Sequence, residues 1–283
     1  MAMLRTYLSL LKEAAVAWVD DRCPTMGAAL AFYTAFSLAP LLVIVIAIAG
    51  TIYGDAPARA AVVAQFDILL GPVGAQALEK LLASAAIEPH GTLATVVSLV
   101  VLFVGATTVL VELEDDLDYI WKAPRRHESG LVALLRARLL SFGLILGIGF
   151  LLVVSLVVGS GLAALAHLWR LSVTNATLVF LLDFVVALAA FTVLFAMLYK
   201  FLPHVRIAWR DVWGGALVTA VLFNVGRLAI GFYLGHSAVA STYAAAGSFV
   251  VLLLWLYYSA QIFLFGAELT WAQAKRRRRG AVG

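Results

Sequence analysis

From Met26 to Gly50 the chain carries no charged residue, reading Met-Gly-Ala-Ala-Leu-Ala-Phe-Tyr-Thr-Ala-Phe-Ser-Leu-Ala-Pro-Leu-Leu-Val-Ile-Val-Ile-Ala-Ile-Ala-Gly. A bilayer core is crossed by roughly 20 apolar residues, so the pattern predicts a transmembrane helix, bounded at about 26–53. Its two halves differ. Gly27, Ala31, Ala35 and Ala39 recur at i, i+4 spacing, a small-residue stripe that lets another helix approach closely, while Tyr33 and Ser37 form a second, polar face. Pro40 removes a backbone donor and leaves the Phe36 carbonyl without its usual partner. Within lipid that carbonyl must find a hydroxyl, a water or another helix, and Ser37 and Thr34 are nearest. Beyond Pro40 the run is purely aliphatic, the pattern of a lipid-facing half. Two readings stay open, a packed and kinked helix or a kink that lines a cavity.

Similar apolar stretches recur at about 93–113, 138–165, 177–200, 212–234 and 246–270, which makes six predicted spans. Ahead of them, Leu4, Tyr7, Leu8, Leu11, Ala15 and Trp18 fall at helical spacing with Arg5, Lys12 and Asp20 elsewhere, predicting an amphipathic helix over 4–19 that lies on the membrane surface. A signal peptide is the competing reading, because Ala47-Ile48-Ala49 resembles a cleavage site; the apolar run is too long and starts too late, so it is expected to stay uncleaved. Between the first two spans, residues 54–92 carry the breakers Asp55, Pro57, Gly71, Pro72, Pro89 and Gly91. Val62, Val63, Phe66, Leu69 and Leu70, then Leu78, Leu81 and Leu82, predict two short amphipathic helices there.

Charge sets the topology. Arg5, Lys12 and Arg22, then Lys122, Arg125, Arg126, Arg136 and Arg138, then Lys200, Arg206 and Arg210, then Lys275 to Arg279 all fall on one side of the predicted spans; the other side holds Arg59, Lys80 and Arg170. Basic loops resist translocation, so both termini are expected in the cytoplasm and 54–92 outside it. The tail, 271–283, is read as a topology anchor whose cations attract anionic lipid headgroups, in preference to a nucleic-acid arm. Hydrophobic residues make up 64% of the 283 and charged residues 13%, with a mean hydropathy of +1.01. That balance excludes an ordinary soluble domain and leaves no room for a separate catalytic one. The expected fold is an all-α polytopic membrane protein, one six-helix bundle over 1–283 with the interfacial helix and a helical extracytoplasmic loop.

Polar groups inside apolar spans are the candidate chemistry, because a charge at the bilayer centre costs at least about 2.5 kcal/mol. Arg227, with Asn224 on its face, and Asp183 fall at similar depth in the fifth and fourth predicted spans, and the two charges are expected to pair. One reading makes the pair a structural ion pair; the other borders a polar cavity with it, Arg227 holding an anionic group. Ser98, Gly105, Thr108 and Glu112 form a small, polar stripe, and Tyr258, Gln261, Phe265 and Glu268 form another. Each ends in a carboxylate near the expected cytoplasmic surface: Glu112 and Glu268 are either satisfied helix-end groups or a proton or cation site. The acidic run Glu112 to Asp118 has no calcium-loop spacing and is expected to bridge to Arg125, Arg126, Arg136 and Arg138. Cys23 is the single cysteine, and His90, His127, His167, His204 and His236 are scattered without zinc-ligand spacing; no nucleophile elbow and no P-loop occur. No metal, no cofactor and no nucleic-acid partner are expected, and the small-residue stripes serve packing or homo-oligomerisation equally well.

Ala28-Ala-Leu-Ala-Phe-Tyr-Thr-Ala-Phe-Ser-Leu-Ala-Pro40, Tyr199-Lys-Phe-Leu-Pro203, Gly214-Gly-Ala216, Tyr243-Ala-Ala-Ala-Gly-Ser-Phe249, Leu254-Trp-Leu-Tyr-Tyr-Ser-Ala-Gln261 and Phe265-Gly-Ala-Glu268 together resemble the YihY/virulence factor BrkB family of bacterial inner-membrane proteins. The resemblance spans nearly the whole chain and implies a six-span inner-membrane protein linked to the cell envelope, with lipid or small-solute export among the proposals made for the family. A ribonuclease label also attached to that family needs clustered metal ligands, and the sequence shows none. The expectation carried forward is a non-enzymatic transporter or flippase-like protein that moves an amphiphilic, anionic substrate without ATP. Arg227, Asp183, Asn224, Gln261, Tyr258, Tyr33 and Ser37 are its expected lining, and Pro40 its kink. The alternatives are an envelope scaffold and, behind it, a membrane ribonuclease.

Overall fold

The structure is a computed structural model that describes residues 2–64, 76, 79, 82, 108–109, 111–124, 173–236 and 244–280. The predicted span at 138–165 and most of that at 93–113 lie outside the described residues, as do Arg125, Arg126, Arg136 and Arg138 and the side chains of Pro40, Asp183 and Arg227. The described residues form five long helices and no strand: α1 (Ala2–Asp20), α2 (Cys23–Tyr53), α3 (Val173–Phe201), α4 (Trp209–His236) and α5 (Ala244–Gly280). Among them, Phe184–Phe201 and Leu252–Arg279 are long and apolar enough to cross a membrane by length and composition, and Cys23–Leu38 is a shorter apolar stretch. Residues 55–64 are helical, a stretch that includes the expected breakers Asp55 and Pro57. The later apolar positions of the 54–92 pattern, Phe66, Leu69, Leu70, Leu78 and Leu81, lie outside the described residues.

The helices present a pattern opposite to that of a water-soluble protein. On α4, Trp209, Trp213, Leu217, Val221 and Val225 recur every fourth residue and are exposed, while Val212, Ala216, Ala220 and Asn224 recur at the same spacing and are buried. On α2, Phe32 and Phe36 are exposed and Ala31, Ala35 and Ser37 buried. Large apolar side chains face outward and small or polar ones inward, the arrangement that van der Waals packing between helices requires when the surroundings are as apolar as the core. The small-residue stripe predicted on α2 is buried at Gly27, Ala31 and Ala35.

The chain divides into two compact units, Met1–Asp21 with Leu117–Val221 and Phe265–Gly283, and Arg22–Asp116 with Leu222–Leu264. In the first, α1 packs Leu10 and Ala14 against Leu269 and Ala272 of α5, with Val218, Phe265 and Trp271 around them. The side chains that made its sequence pattern, Tyr7, Leu8 and Leu11, point away and are exposed. The same unit holds a close helix crossing, where Tyr199, Gly215 and Gly266 of three of the quoted motifs meet. Thr219 Oγ1 donates its one proton to the Gly215 carbonyl at 2.8 Å, so the fully buried Tyr199 hydroxyl, 2.9 Å away, donates to Thr219. Gly215 lies against Thr270 and the Gly266 carbonyl, so close that a Cβ there would sit 2.6 Å from that backbone oxygen.

The structure moves two boundaries. Residues 111–120 are helical, so the helix continues through the acidic run, past the predicted span end at 113. Its Asp118 accepts from the backbone amide of His204 at 2.8 Å and lies 2.6 Å from His204 Nδ1, a partner 86 positions away in sequence that spacing could not indicate. The segment predicted as a basic tail, 271–283, is helical through Gly280 as the end of α5. Lysine and arginine are good helix formers and favour the negative C-terminal end of a helix, which is why the run extends α5.

Candidate functional site

The second unit gathers most of the residues the sequence singled out. α2 begins at Cys23 with Arg22 in the left-handed region (φ 57°) and Pro24 in its first turn, where the missing amide proton costs nothing. Gln261 of α5 reaches this end: its Nε2 donates to the carbonyls of Cys23 and Pro24 at 3.4 Å each. Gly27 allows that approach, since a Cβ there would collide with the Gln261 amide. Gln261 Oε1 and Ser259 Oγ, two positions apart on α5, are buried and have no hydrogen-bond partner among the described residues. One turn away, the Tyr258 hydroxyl donates to the Leu222 carbonyl of α4 at 3.3 Å. Its ring joins Phe223 and Trp255 in an aromatic row, with centroids 5.4 Å (Phe223 to Trp255) and 6.2 Å (Trp255 to Tyr258) apart. Leu38 of α2 packs on the same cluster beside Leu252.

Asn224 is buried in this unit at 1% exposure, and Arg227 follows it by three positions on α4. The pairing expected between Arg227 and Asp183 lies outside the described side chains. Tyr33 is half-buried with its ring edge-on to Phe32 at 5.9 Å, and Ser37 is buried. The Ser37 hydroxyl donates to the Thr34 carbonyl at 3.0 Å, so it does not serve the Phe36 carbonyl that Pro40 leaves open. Beyond Pro40, Leu42 is 4% exposed and packs on Leu82, Val62 and Val63; this half of α2 is therefore partly covered and not wholly lipid-facing. Helix 55–64, on which those valines lie, supplies the cover.

The predicted carboxylates separate. Glu268 is fully buried in the first unit, whereas Glu112 is half-buried in the second. Sequence reasoning passed over Asp116, which is 5% exposed with Oδ2 unpartnered among the described residues. Burial, then the neighbouring charges of Glu112 and Asp115, push its carboxyl up to about 7. The signal was present, since three carboxylates within one helical turn cannot all stay ionised cheaply. Assigning the whole run to salt bridges with the following arginines hid it. Among the described residues no three His, Cys, Asp or Glu side chains are grouped so as to hold a metal ion.

The first unit holds a set of ionic contacts. Lys122 holds Asp21 at 2.6 Å, Lys275 and Arg276 hold Glu13 at 3.1 and 2.9 Å, and Arg277 forms a two-pronged pair with Asp211. The basic run expected to be a topology anchor that attracts lipid headgroups thus spends its first three cations on the protein itself. Burial alone would raise the Glu13 carboxyl, but the hydrogen bonds from Arg276 and Lys275 override it and hold it below the usual carboxylate range.

Residues 14–282 match the family model for virulence factor BrkB. The chain belongs to the virulence factor BrkB family. Relatives within the family's reach are named as UPF0761 membrane proteins. One from Pseudomonas aeruginosa (strain PAO1) is 28% identical over 264 residues, covering 89% of this chain and 59% of its own length. One from Ralstonia nicotianae is 29% identical over 260 residues, 88% of this chain and 55% of that one. One from Tolumonas auensis is 26% identical over 261 residues, 88% and 80% of the two. The chain therefore spans little more than half the length of the first two. No solved structure matches it. Membership in a BrkB family of membrane proteins agrees with the outward apolar faces of α2 and α4.

Proposed function

We propose that this BrkB-family chain is an ATP-independent membrane transporter, flippase-like in action, for an amphiphilic anionic substrate in the bacterial inner membrane. The observation that carries the reading is that Gln261 Oε1 and Ser259 Oγ are buried with no hydrogen-bond partner among the described residues, on a helix with apolar outer positions. In lipid such atoms cost several kcal/mol each unless water or the polar part of a substrate reaches them. Asn224 and Tyr258 extend the polar surface within the same unit, and Arg227, on the same helix as Asn224, supplies the anion contact. A common side for both termini is supported by the ionic contacts named above, which link segments that the charge pattern assigned to a single side, 13 with 275–276, 21 with 122, 118 with 204 and 211 with 277, and the excess of basic residues there favours the cytoplasm.

The test is movement of fluorescent phospholipids across proteoliposomes holding wild type, Gln261→Leu or Arg227→Ala, with folding of each checked by thermal melting. Wild-type movement that falls at least tenfold in both folded variants is the expected result; wild-type vesicles no faster than protein-free ones would remove lipid transport. The scaffold reading draws on the close crossing at Tyr199, Thr219 and Gly215, which holds helices in register whether or not anything is moved. It predicts that exchanging the charges of Arg227 and Asp183 leaves envelope function intact. The ribonuclease reading predicts metal-dependent RNA cleavage by purified protein.

A further inference from the structure

We infer that the loop between α3 and α4, with the outer face of α4, is a docking surface for one anionic phospholipid of the adjoining leaflet. The loop is pinned from several directions. Leu202 and Ile207 are buried, the Lys200 ammonium donates to the Ile207 carbonyl, His204 is held by Asp118, and Asp211 is matched by Arg277. From this fixed frame Arg206 and Arg210 project exposed, and neither is ion-paired among the described residues. Arg206 and Arg210, four positions apart and with no ion-pair partner among the described residues, each present a fork-shaped guanidinium that matches a phosphate.

Beside them runs a graded surface. Phe201, Trp209 and Trp213 are 48%, 44% and 45% exposed, with ring centroids 5.8 Å (Phe201 to Trp209) and 6.2 Å (Trp209 to Trp213) apart. Lys200 sits over the Trp209 ring at 5.8 Å. Leu217 and Val221 then continue the tryptophan face at four-residue spacing, exposed at 48% and 42%. At 1.5 Å per residue, Val221 lies about 16 Å along the helix from Arg210, close to the roughly 15 Å depth of one leaflet's hydrocarbon. Cation, amphipathic ring and aliphatic chain follow one another in the order of phosphate, glycerol ester and acyl chain. An acidic protein partner would need the charges but has no use for an aliphatic face that continues to leaflet depth.

The inference does not depend on transport. It also relocates the lipid contact from the basic tail, where Lys275, Arg276 and Arg277 are engaged and only Arg278 and Arg279 project exposed. The full chain in detergent micelles is titrated with phosphatidylglycerol and, separately, with phosphatidylcholine, and bound lipid is counted by native mass spectrometry. Two basic side chains near an anionic group contribute about fivefold each, so Arg206→Gln with Arg210→Gln is expected to weaken phosphatidylglycerol binding about 30-fold without changing phosphatidylcholine binding. Arg278→Gln with Arg279→Gln, equally exposed and equally cationic, is expected to change it less than threefold. Equal binding by wild type and the loop variant, equal binding of the two lipids by wild type, or a loss confined to the tail variant would each overturn the assignment. All four substituted arginines are exposed, and melting curves for both variants establish that they fold.

Discussion

Gly214 and Gly215 are neighbours on α4, yet the structure sets them in opposite circumstances, and the same substitution at each should move stability in opposite directions. A methyl group on Gly215 would meet Thr270 Cγ2 and lie 2.6 Å from the Gly266 carbonyl oxygen and 3.3 Å from the Thr270 amide nitrogen. Two of those three neighbours are helix backbone and cannot turn aside, so α4 and α5 must separate locally. A methyl on Gly214 would meet only the amide end of Gln273, which can rotate away. Overpacking at an unyielding contact costs about 1–3 kcal/mol, and alanine in a helix interior returns up to about 1 kcal/mol over glycine. Gly215→Ala should therefore lose about 1–2 kcal/mol and Gly214→Ala should lose nothing or gain up to about 1 kcal/mol. With about 2–4 °C per kcal/mol for a chain of this size, the melting temperature in a fixed detergent should fall by about 2–8 °C for Gly215→Ala and stay level or rise by about 2–4 °C for Gly214→Ala. Equal shifts for the two variants, or a stabilised Gly215→Ala, would refute the packing argument.

Two further expectations concern titration. Asp116 is held above its ordinary range, so the folded state favours its neutral form: stability is lost as pH rises from the unfolded value near 4 to about 7 and is level beyond it. Asp116→Asn should accordingly raise the melting temperature more at pH 8 than at pH 5, and a gain independent of pH would count against a buried carboxyl there. Glu13 is held below its ordinary range, so its contribution is present above the unfolded value near 4.5 and is lost as pH falls through the lower folded one. Glu13→Gln should loosen α1 at pH 7, seen as faster amide exchange in Ala2–Asp20, and the difference from wild type should shrink towards pH 3; partly exposed pairs of this kind contribute about 0.2–1 kcal/mol.

Much of the helical framework was legible because bilayer length and apolar runs act locally. The buried stripe Gly27, Ala31, Ala35 could be read from spacing alone, since small residues at every fourth position have few other uses in lipid. The direction of α1 could not. Tyr7, Leu8 and Leu11 mark its strongest apolar face, but in a membrane setting that face is free to point outward, and the helix is held by the quieter Leu10 and Ala14 together with Glu13. Contacts between distant segments were equally out of reach. Nothing near Asp118 indicates His204, and nothing near Tyr199 indicates that its hydroxyl, with Thr219, gives the glycines of α4 and α5 their meaning. Of the candidate lining, Gln261, Tyr258, Asn224 and Ser37 are placed in one unit, and it was their polarity within apolar runs that singled them out.

The length of α5 has a mechanical consequence. Its 37 residues, at 1.5 Å each, make a rod about 55 Å long, against a hydrocarbon core of about 30 Å. Even tilted, such a rod must stand well clear of the acyl chains at one end or both, and its last turns are the ones that hold α1 through Glu13 and the first turn of α4 through Asp211. The cations of the final turns are therefore set at a fixed height by the helix itself, as marks on a ruler. Shortening or lengthening α5 by one residue upstream of Lys275 would turn them by about 100° and shift them by 1.5 Å, so that Glu13 and Asp211 could not both be met.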